Sequence, residues 1–318
     1  MAIQSTINAL KTNLQARIIG QSELVESLII SLLADGHLLV EGAPGLAKTT
    51  AIKALSDGLH CAFKRIQFTP DLMPADVTGS DIYRAEEHRF EFQAGPIFAN
   101  LVLADEINRA PAKVQSALLE AMSERQVSAG GSTYPLPNPF LVMATQNPVE
   151  QEGTYPLPEA QLDRFLIKVS LNYPSAEDEK KILQLSRQLE YSGEPATTPI
   201  SLDSILDARK EIQTVFVSAA VENYIVRLID ATRRQEKYHE PLANLIRYGA
   251  SPRATIGLDL CARTVAWLDG KDYVTPAHVQ AVAHRVLAHR LVLSLAAQAK
   301  GFSGEDLVNE VISAVAVG

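Results

Sequence analysis

The segment Val40-Glu41-Gly42-Ala43-Pro44-Gly45-Leu46-Ala47-Lys48-Thr49-Thr50 constrains this chain more than any other stretch. The run His37-Leu38-Leu39-Val40 precedes it, and a helix-like stretch from Lys48 to Leu59 follows. Strand, glycine loop and helix, in that order, form the setting in which a loop turns its backbone N–H groups toward one point. The helix N-terminus adds partial positive charge at the same point. A triphosphate fits both features. Lys48 then reaches the β- and γ-phosphates, and the Thr49 hydroxyl takes one place on Mg²⁺. The loop departs from Gly-x-x-x-x-Gly-Lys-Ser/Thr at Ala47, which stands where the pattern has its second glycine. Alanine tolerates positive φ poorly but adds only a methyl. The plain alternative is a strand-to-helix turn punctuated by Gly and Pro.

A chain of 318 residues is long enough for two domains. With 47% hydrophobic and 21% charged residues it has a globular composition that can bury a core. A net charge of −8 and a pI of about 5.4 argue against a protein that coats nucleic acid. They do not exclude a locally basic pore or groove. Lys113, Arg125 and the Lys64-Arg65 pair are few for that purpose, and their ordinary reading is solvated surface. Cys61 and Cys261 have no metal or redox spacing, so a reducing compartment is expected. Met1 to Leu14 lacks a signal-peptide core, and no apolar run approaches membrane-spanning length. The expectation is a soluble cytoplasmic protein that does not insert into a membrane.

Helical spacing predicts a short leading helix over Ser5 to Leu14 and a longer one over Ser22 to Leu33. Between them, Ile18, Ile19 and Gly20 could form a pocket for a nucleotide base, and core packing explains the two isoleucines equally well. Phe63 to Phe68 reads as a strand. Thr69 to Tyr83 carries Pro70, Pro74 and Gly79, which mark irregular structure. Arg89-Phe90-Glu91-Phe92 alternates as a strand does, with Glu86-Glu87-His88 as a turn. That is either a hairpin standing off the main sheet or a plain surface hairpin.

Leu101-Val102-Leu103-Ala104-Asp105-Glu106 is the second decisive stretch. Its continuous apolar character predicts a strand buried on both faces of a parallel sheet. Carboxylates at the C-terminal edge of such a sheet sit where ligands bind. Asp105 is placed to hold the Mg²⁺ shell through water, and Glu106 to polarise the attacking water. The alternative is an acidic strand end that caps the next helix. Asn108 to Pro111 reads as a helix start, with Asn108 as the cap. Gln126 to Tyr134 reads as a second hairpin around Gly130-Gly131. Phe140 to Thr145 is another buried strand, and Asn147 beyond it lies level with Asp105, able to orient the water. Its bland reading is a turn residue before proline.

Phe165 to Leu171 completes the core strands, and Arg164 before it is a candidate arginine finger. Ser175 to Asp178 looks like a helix start. Glu190 to Pro199 reads as a linker, and from Leu202 onward only helical periodicity is visible. Ser251 can cap a helix that Pro252 starts, which leaves Arg253 in a first turn where the helix dipole disfavours a cation. A phosphate nearby would remove the conflict, and so would a surface ion pair. Thr275-Pro276 repeats the signal and opens a final helix with His278, His284 and His289, read as ordinary helix residues.

The combined pattern resembles the MoxR-type AAA+ ATPases. The matching words are the segment from Val40 to Thr49, Gln67-Phe-Thr-Pro-Asp-Leu-Met-Pro-Ala-Asp-Val-Thr-Gly79 and Ala104-Asp-Glu-Ile-Asn-Arg-Ala-Pro111. Ala144-Thr-Gln-Asn-Pro148, Pro158-Glu-Ala-Gln-Leu-Asp-Arg-Phe165 and Gly249-Ala-Ser-Pro-Arg253 continue them. They cover the ATPase core and reach into the lid, and an alanine at position 47 is usual in this family. The resemblance implies an α/β core with a parallel sheet over residues 1–173 and a linker with an all-helical lid over 174–318. It implies ATP and Mg²⁺ as cofactors, held by Gly42, Ala43, Pro44, Gly45, Leu46, Ala47, Lys48, Thr49 and Thr50, with Asp105 and Glu106 as the Walker B pair. Asn147 is similar to sensor one, Arg253 to sensor two, and Arg164 to the finger offered to a neighbouring subunit. The segments around Phe90 and Gly130 are similar to the helix-two insert and the pre-sensor hairpin, which face the ring pore in this clade. A homo-oligomeric, hexameric ring is implied. So is chaperone work that remodels a protein substrate or inserts metal into it, often with a von Willebrand factor A domain partner.

Two other functions compete at this level. A nucleic-acid motor needs a basic pore that the composition does not favour. A nucleotide-switched scaffold needs ring assembly without rapid turnover.

Overall fold

A computed structural model describes residues 2–148, 153–192, 199–238 and 244–317. The chain opens with α1 (Ala2–Arg17) and α2 (Ser22–Leu33), followed by β1 (Leu38–Glu41), α3 (Lys48–Leu59) and β2 (Phe63–Gln67). The stretch expected to be irregular holds a short helix, α4 (Pro74–Thr78), and a strand, β3 (Gly79–Arg84). Pro74 there starts a helix, since a first-turn N–H has no intrahelical partner to lose. β3 pairs antiparallel with β4 (Arg89–Ala94) as a separate hairpin. Gly79, at its base, has φ +89° and leaves no room for a side chain: a Cβ would lie 2.2 Å from Gln93 O.

β5 (Leu101–Asp105) follows, then α5 (Ala112–Glu124). The helix begins later than expected. Ile107–Arg109 is a 3₁₀ turn and Pro111, not Asn108, is the N-cap. β6 (Gln126–Ala129) and β7 (Ser132–Pro135) form the second hairpin. The two hairpins touch: Phe92 stacks on Tyr134 at 4.0 Å between ring centroids, and the Asp81 carboxylate fills the space above Gly130. Arg125, expected on solvated surface, is tied down. Its guanidinium donates to Phe140 O at 2.5 Å and to Asp35 O at 2.5 Å.

β8 (Leu141–Gln146), a short α6 (Glu159–Leu162) and β9 (Ile167–Ser170) follow. Five strands form one sheet in the order β2-β5-β8-β1-β9. β2 with β5, β5 with β8, and β8 with β1 are parallel. β5 is buried throughout and β8 is buried from Leu141 to Thr145, as continuous apolar runs in a doubly covered sheet must be. α2 and α3 pack against it. Buried His37 ties β8 to α5. Its Nδ1 accepts from Val142 N at 3.0 Å, which leaves Nε2 to donate to Met122 O at 3.1 Å.

α7 (Ala176–Ser192) runs into the stretch expected to be a linker. Of that stretch, residues 193–198 lie outside the described residues. The rest comprises α8 (Leu202–Gln213), α9 (Ala219–Arg233), β10 (Ile246–Tyr248), α10 (Pro252–Leu268), α11 (Pro276–Leu287), β11 (Val292–Leu293), α12 (Leu295–Ala299) and α13 (Gly304–Ala314). Strands are therefore present where only helices were expected: β10 and β11 form a small antiparallel pair. α11 is not the last helix, and His289 lies beyond it in a 3₁₀ turn. Two compact units divide the chain, residues 5–157 with 169–206, and residues 1–4 with 158–168 and 207–318. In the second unit, α9, α10, α11 and α13 pack on one another around Leu228, Leu258, Val282 and Leu307, all fully buried.

Candidate functional site

β1 delivers the chain to the loop, and the loop delivers it to α3. Gly45 and Ala47 both take left-handed conformations, at φ +84° and +55°. Ala47 is the N-cap of α3, where it supplies no capping side chain. No acidic residue occupies the first turn of this 12-residue helix. The positive end of the helix therefore faces the loop without a carboxylate of its own turn. Lys48 Nζ donates to Gly42 O at 2.7 Å, folding the side chain back over the loop. Burial pushes the Lys48 ammonium below its ordinary pKa, while the Asp105 and Glu106 carboxylates pull it back up.

β5 ends at Asp105. The register pairs Ala104 with Ala144, so Thr145 follows beside Asp105, and Asn147 lies two residues further along rather than level with it. Thr145 Oγ1 donates to Asp105 Oδ1 at 2.6 Å and accepts from Glu106 N at 2.9 Å. Glu106 sits in the left-handed region, φ 56° and ψ 49°, a conformation that costs a non-glycine residue about 1–2 kcal/mol. This turns its side chain out of the strand direction. Gln67 Nε2 donates to Glu106 Oε2 at 2.9 Å, and Arg109 Nε lies 3.3 Å from the same oxygen. On the other side, Arg65 donates to Asp105 Oδ2 from Nε at 3.0 Å and from Nη2 at 2.6 Å.

These groups surround one cavity of about 330 Å³. It is lined by Pro44, Gly45, Leu46, Ala47, Lys48, Thr49, Thr50, Arg65, Asp105, Glu106 and Asn147. Most of the expected nucleotide residues thus come together. Gly42 and Ala43 do not line the cavity; Gly42 is buried, and a Cβ there would lie 3.0 Å from Leu171 Cβ. Nor do Ile19 and Gly20 line it. A Cβ on Gly20 would lie 2.9 Å from Pro174 Cβ, so a packing role accounts for that glycine. Arg65 is exposed, as expected of solvated surface, but its guanidinium is committed to Asp105 at the cavity's edge. Arg65, Gln67 and Thr145 are the residues that motif reading missed. The available signal was the alternation of β2, which places Arg65 and Gln67 on one face, next to the strand ending in Asp105.

Arg164 and Arg253 belong to the second unit. Ser251 caps α10, its Oγ accepting from Arg253 N at 3.1 Å. The same hydroxyl donates to the Asp163 carboxylate at 2.8 Å, and Arg253 Nη1 lies 3.4 Å from it. The cation at the helix start therefore has an acidic partner inside its own unit. Buried Arg290 holds Asp163 as well, with Nε donating to Oδ1 at 2.9 Å. Arg164, half-buried, follows Asp163 directly and donates its backbone N–H to Gln161 O.

The family pattern for the ATPase family associated with various cellular activities (AAA) matches residues 37–167, and the AAA lid domain pattern matches residues 242–311. Chaperone MoxR1 of Mycobacterium tuberculosis is 48% identical over 94% of this chain and 79% of its own length. The chain belongs to the MoxR-type AAA ATPases. An uncharacterized Bacillus subtilis protein, YeaC, is 44% identical over 94% of the chain and 91% of its own length. Protein MoxR of Methylorubrum extorquens is 33% identical over 87% and 84%. A crystal structure of a Cytophaga hutchinsonii protein superposes with a TM-score of 0.91 at 43% identity, covering 99% of this chain and 96% of that one. The architecture of parallel α/β core and helical lid is thus a family architecture, and the chain is an AAA-family ATPase that binds ATP. No helix among the described residues is long and apolar enough to cross a membrane.

Proposed function

We propose that the cavity at the end of β1, β5 and β8 is a Mg²⁺·ATP hydrolysis site, and that its turnover drives a chaperone that remodels partner proteins. One observation carries this: Lys48, Thr49, Asp105, Glu106 and Asn147, from three separate segments, line a single cavity. The donor set suits the ligand. Backbone N–H groups at the start of α3 and the Lys48 ammonium are anion donors. The Thr49 hydroxyl and the Asp105 carboxylate are hard oxygen ligands of the kind Mg²⁺ takes, through water in the case of Asp105. A bound Mg²⁺ supplies neutralisation of phosphate charge. The chain's own residues do the rest. Glu106 accepts the proton of the attacking water, held in place by Gln67 and Arg109, and Asn147 orients that water. From the family pattern, Arg253 serves the chain's own nucleotide and Arg164 that of a neighbouring subunit in a homo-oligomeric, hexameric ring. The chaperone role extends the name of the M. tuberculosis relative to this chain. A von Willebrand factor A domain protein is the partner class the family suggests.

Glu106→Gln tests the base. Nucleotide binding, followed by titration of a fluorescent ATP analogue, is expected to persist, while phosphate release falls about 10²-fold or more. Unchanged phosphate release in that variant would remove Glu106 from the mechanism.

A further inference from the structure

Arg65 lies where a metal ligand's counter-charge would be needed. Two of its N–H groups converge on the same Asp105 oxygen, Oδ2, at 3.0 and 2.6 Å. The other oxygen, Oδ1, is taken by the buried Thr145 hydroxyl at 2.6 Å. Asp105 thus has one oxygen fixed by a neutral, immobile donor and one held by a cation. The mobility of the two holders differs: Thr145 is fully buried, whereas the Arg65 side chain is 50% exposed. Arg65 Nη2 also donates to Gln67 Oε1 at 2.9 Å, which orients the Gln67 amide so that its nitrogen reaches Glu106.

Charge bookkeeping at the cavity gives the reason. Its lining side chains include two cations, Lys48 and Arg65, and two carboxylates, Asp105 and Glu106. With Arg65 on Asp105 the lining is balanced. Without it, the carboxylates face a polyanionic ligand in excess of the cations. A divalent cation on Asp105 reverses the requirement, because two positive groups cannot share the Oδ2 side of one carboxylate without repulsion.

We propose that Arg65 is the resident counter-cation of Asp105, neutralising it while no metal is bound and competing with the divalent cation for its Oδ2 face. This rests on the reading of the cavity as the Mg²⁺·ATP site. The consequence is a coupling of opposite signs. Arg65 favours nucleotide binding without metal and opposes metal binding.

The test compares wild type with Arg65→Gln by two titrations: a fluorescent ATP analogue in EDTA and in saturating Mg²⁺, and Mn²⁺ followed by electron paramagnetic resonance with the analogue present. In the variant, the metal-free Kd for the analogue is expected to rise about fivefold, the scale of a partly exposed charge pair, while the Mn²⁺ half-saturation falls by a similar factor. Arg65→Lys keeps the charge without the paired donors, and is expected to fall between the two. If Arg65→Gln does not fold, the lysine variant carries the same test with smaller shifts. In an Asp105→Asn background the effect of Arg65→Gln on Mn²⁺ is expected to vanish. Equal shifts in both nucleotide titrations, or none, would overturn the role of Arg65 while leaving the nucleotide site intact. A wild-type protein that binds the analogue in neither buffer would overturn the site itself, and this inference with it.

Discussion

Two aspartates in this chain are each held by a hydroxyl and by arginine, and the arginine closest to each differs sharply in exposure. Asp105 pairs with Arg65, whose side chain is 50% exposed, and Asp163 pairs with Arg290, whose side chain is 3% exposed. Arg65 donates to one carboxylate oxygen and one amide oxygen. Arg290 donates to the Asp163 carboxylate and to the backbone carbonyls of Val286, Phe165 and Leu166. A guanidinium with its fork spread over several buried carbonyls cannot leave without stranding them. One that is half in solvent and bonds only two side chains, a carboxylate and an amide, can. The same pair of residue types therefore makes a fixed joint in one unit and an exchangeable one in the other.

The sharpest way to break this contrast is to remove each arginine. Arg290→Met keeps most of the side-chain volume but leaves the largely buried Asp163 with only the half-exposed Arg253, 3.4 Å away, as counter-charge, and is expected to cost about 3 kcal/mol of unfolding free energy. Arg65→Met is expected to cost less than about 1 kcal/mol, the ordinary worth of a partly exposed pair. Urea denaturation of both variants measures the difference. Comparable losses would show that exposure does not separate the two sites.

A second test uses pH. His289 is buried beside Arg290, and its Nε2 donates to Phe165 O at 3.1 Å. Burial first, and the Arg290 charge second, push its pKa well below the ordinary 6.5, with the Phe165 carbonyl opposing in part. The sign follows from linkage. Above about pH 6.5 the ring is neutral in both folded and unfolded chains, and the stability is fully present. As the pH falls below that, the unfolded chain takes up a proton that the folded one refuses, and stability drops toward the depressed folded value. The expected slope from this residue is at most about 1.4 kcal/mol per pH unit. Urea midpoints at pH 7.5 and 5.5 should fall less steeply for His289→Gln, which keeps a donor for Phe165 O. Parallel profiles would mean that the buried cluster admits the charge after all.

How much of this was legible in the sequence follows from how far apart the cooperating residues lie. The phosphate loop is contiguous, so Gly45, Lys48 and Thr49 announce themselves together, and the strain expected at Ala47 is present as φ +55°. β5 and β8 were readable because burial on both faces leaves nothing but apolar residues to see. β10 and β11, at three and two residues, are too short to show a period of two. Arg65 and Thr145 were invisible for another reason. Each is 40 positions from Asp105, on opposite sides of it, and only the parallel register brings all three together. Arg253 was readable as a conflict with the helix dipole, but its partner Asp163, 90 residues away, was not.

The smallest test concerns the two hydroxyls, which do the same double duty. Ser251 Oγ accepts from Arg253 N at 3.1 Å and donates to Asp163; Thr145 Oγ1 accepts from Glu106 N at 2.9 Å and donates to Asp105. Ser251→Ala removes a helix N-cap and is expected to cost about 1 kcal/mol of stability. Arg290 still neutralises Asp163 there, so the cost should not grow much beyond the cap. Thr145→Val costs a similar amount or somewhat more, about 1–3 kcal/mol, because buried Asp105 Oδ1 loses its donor and the part-buried Glu106 N–H its acceptor. The informative difference lies in the metal requirement of ATP turnover. Thr145 fixes the oxygen of Asp105 that Arg65 does not hold, so Thr145→Val should raise the Mg²⁺ concentration needed for half-maximal phosphate release. Ser251→Ala should leave that concentration where it is. A shift of the Mg²⁺ requirement in both variants would mean that the fixed joint and the exchangeable one are not separable by the hydroxyls that brace them.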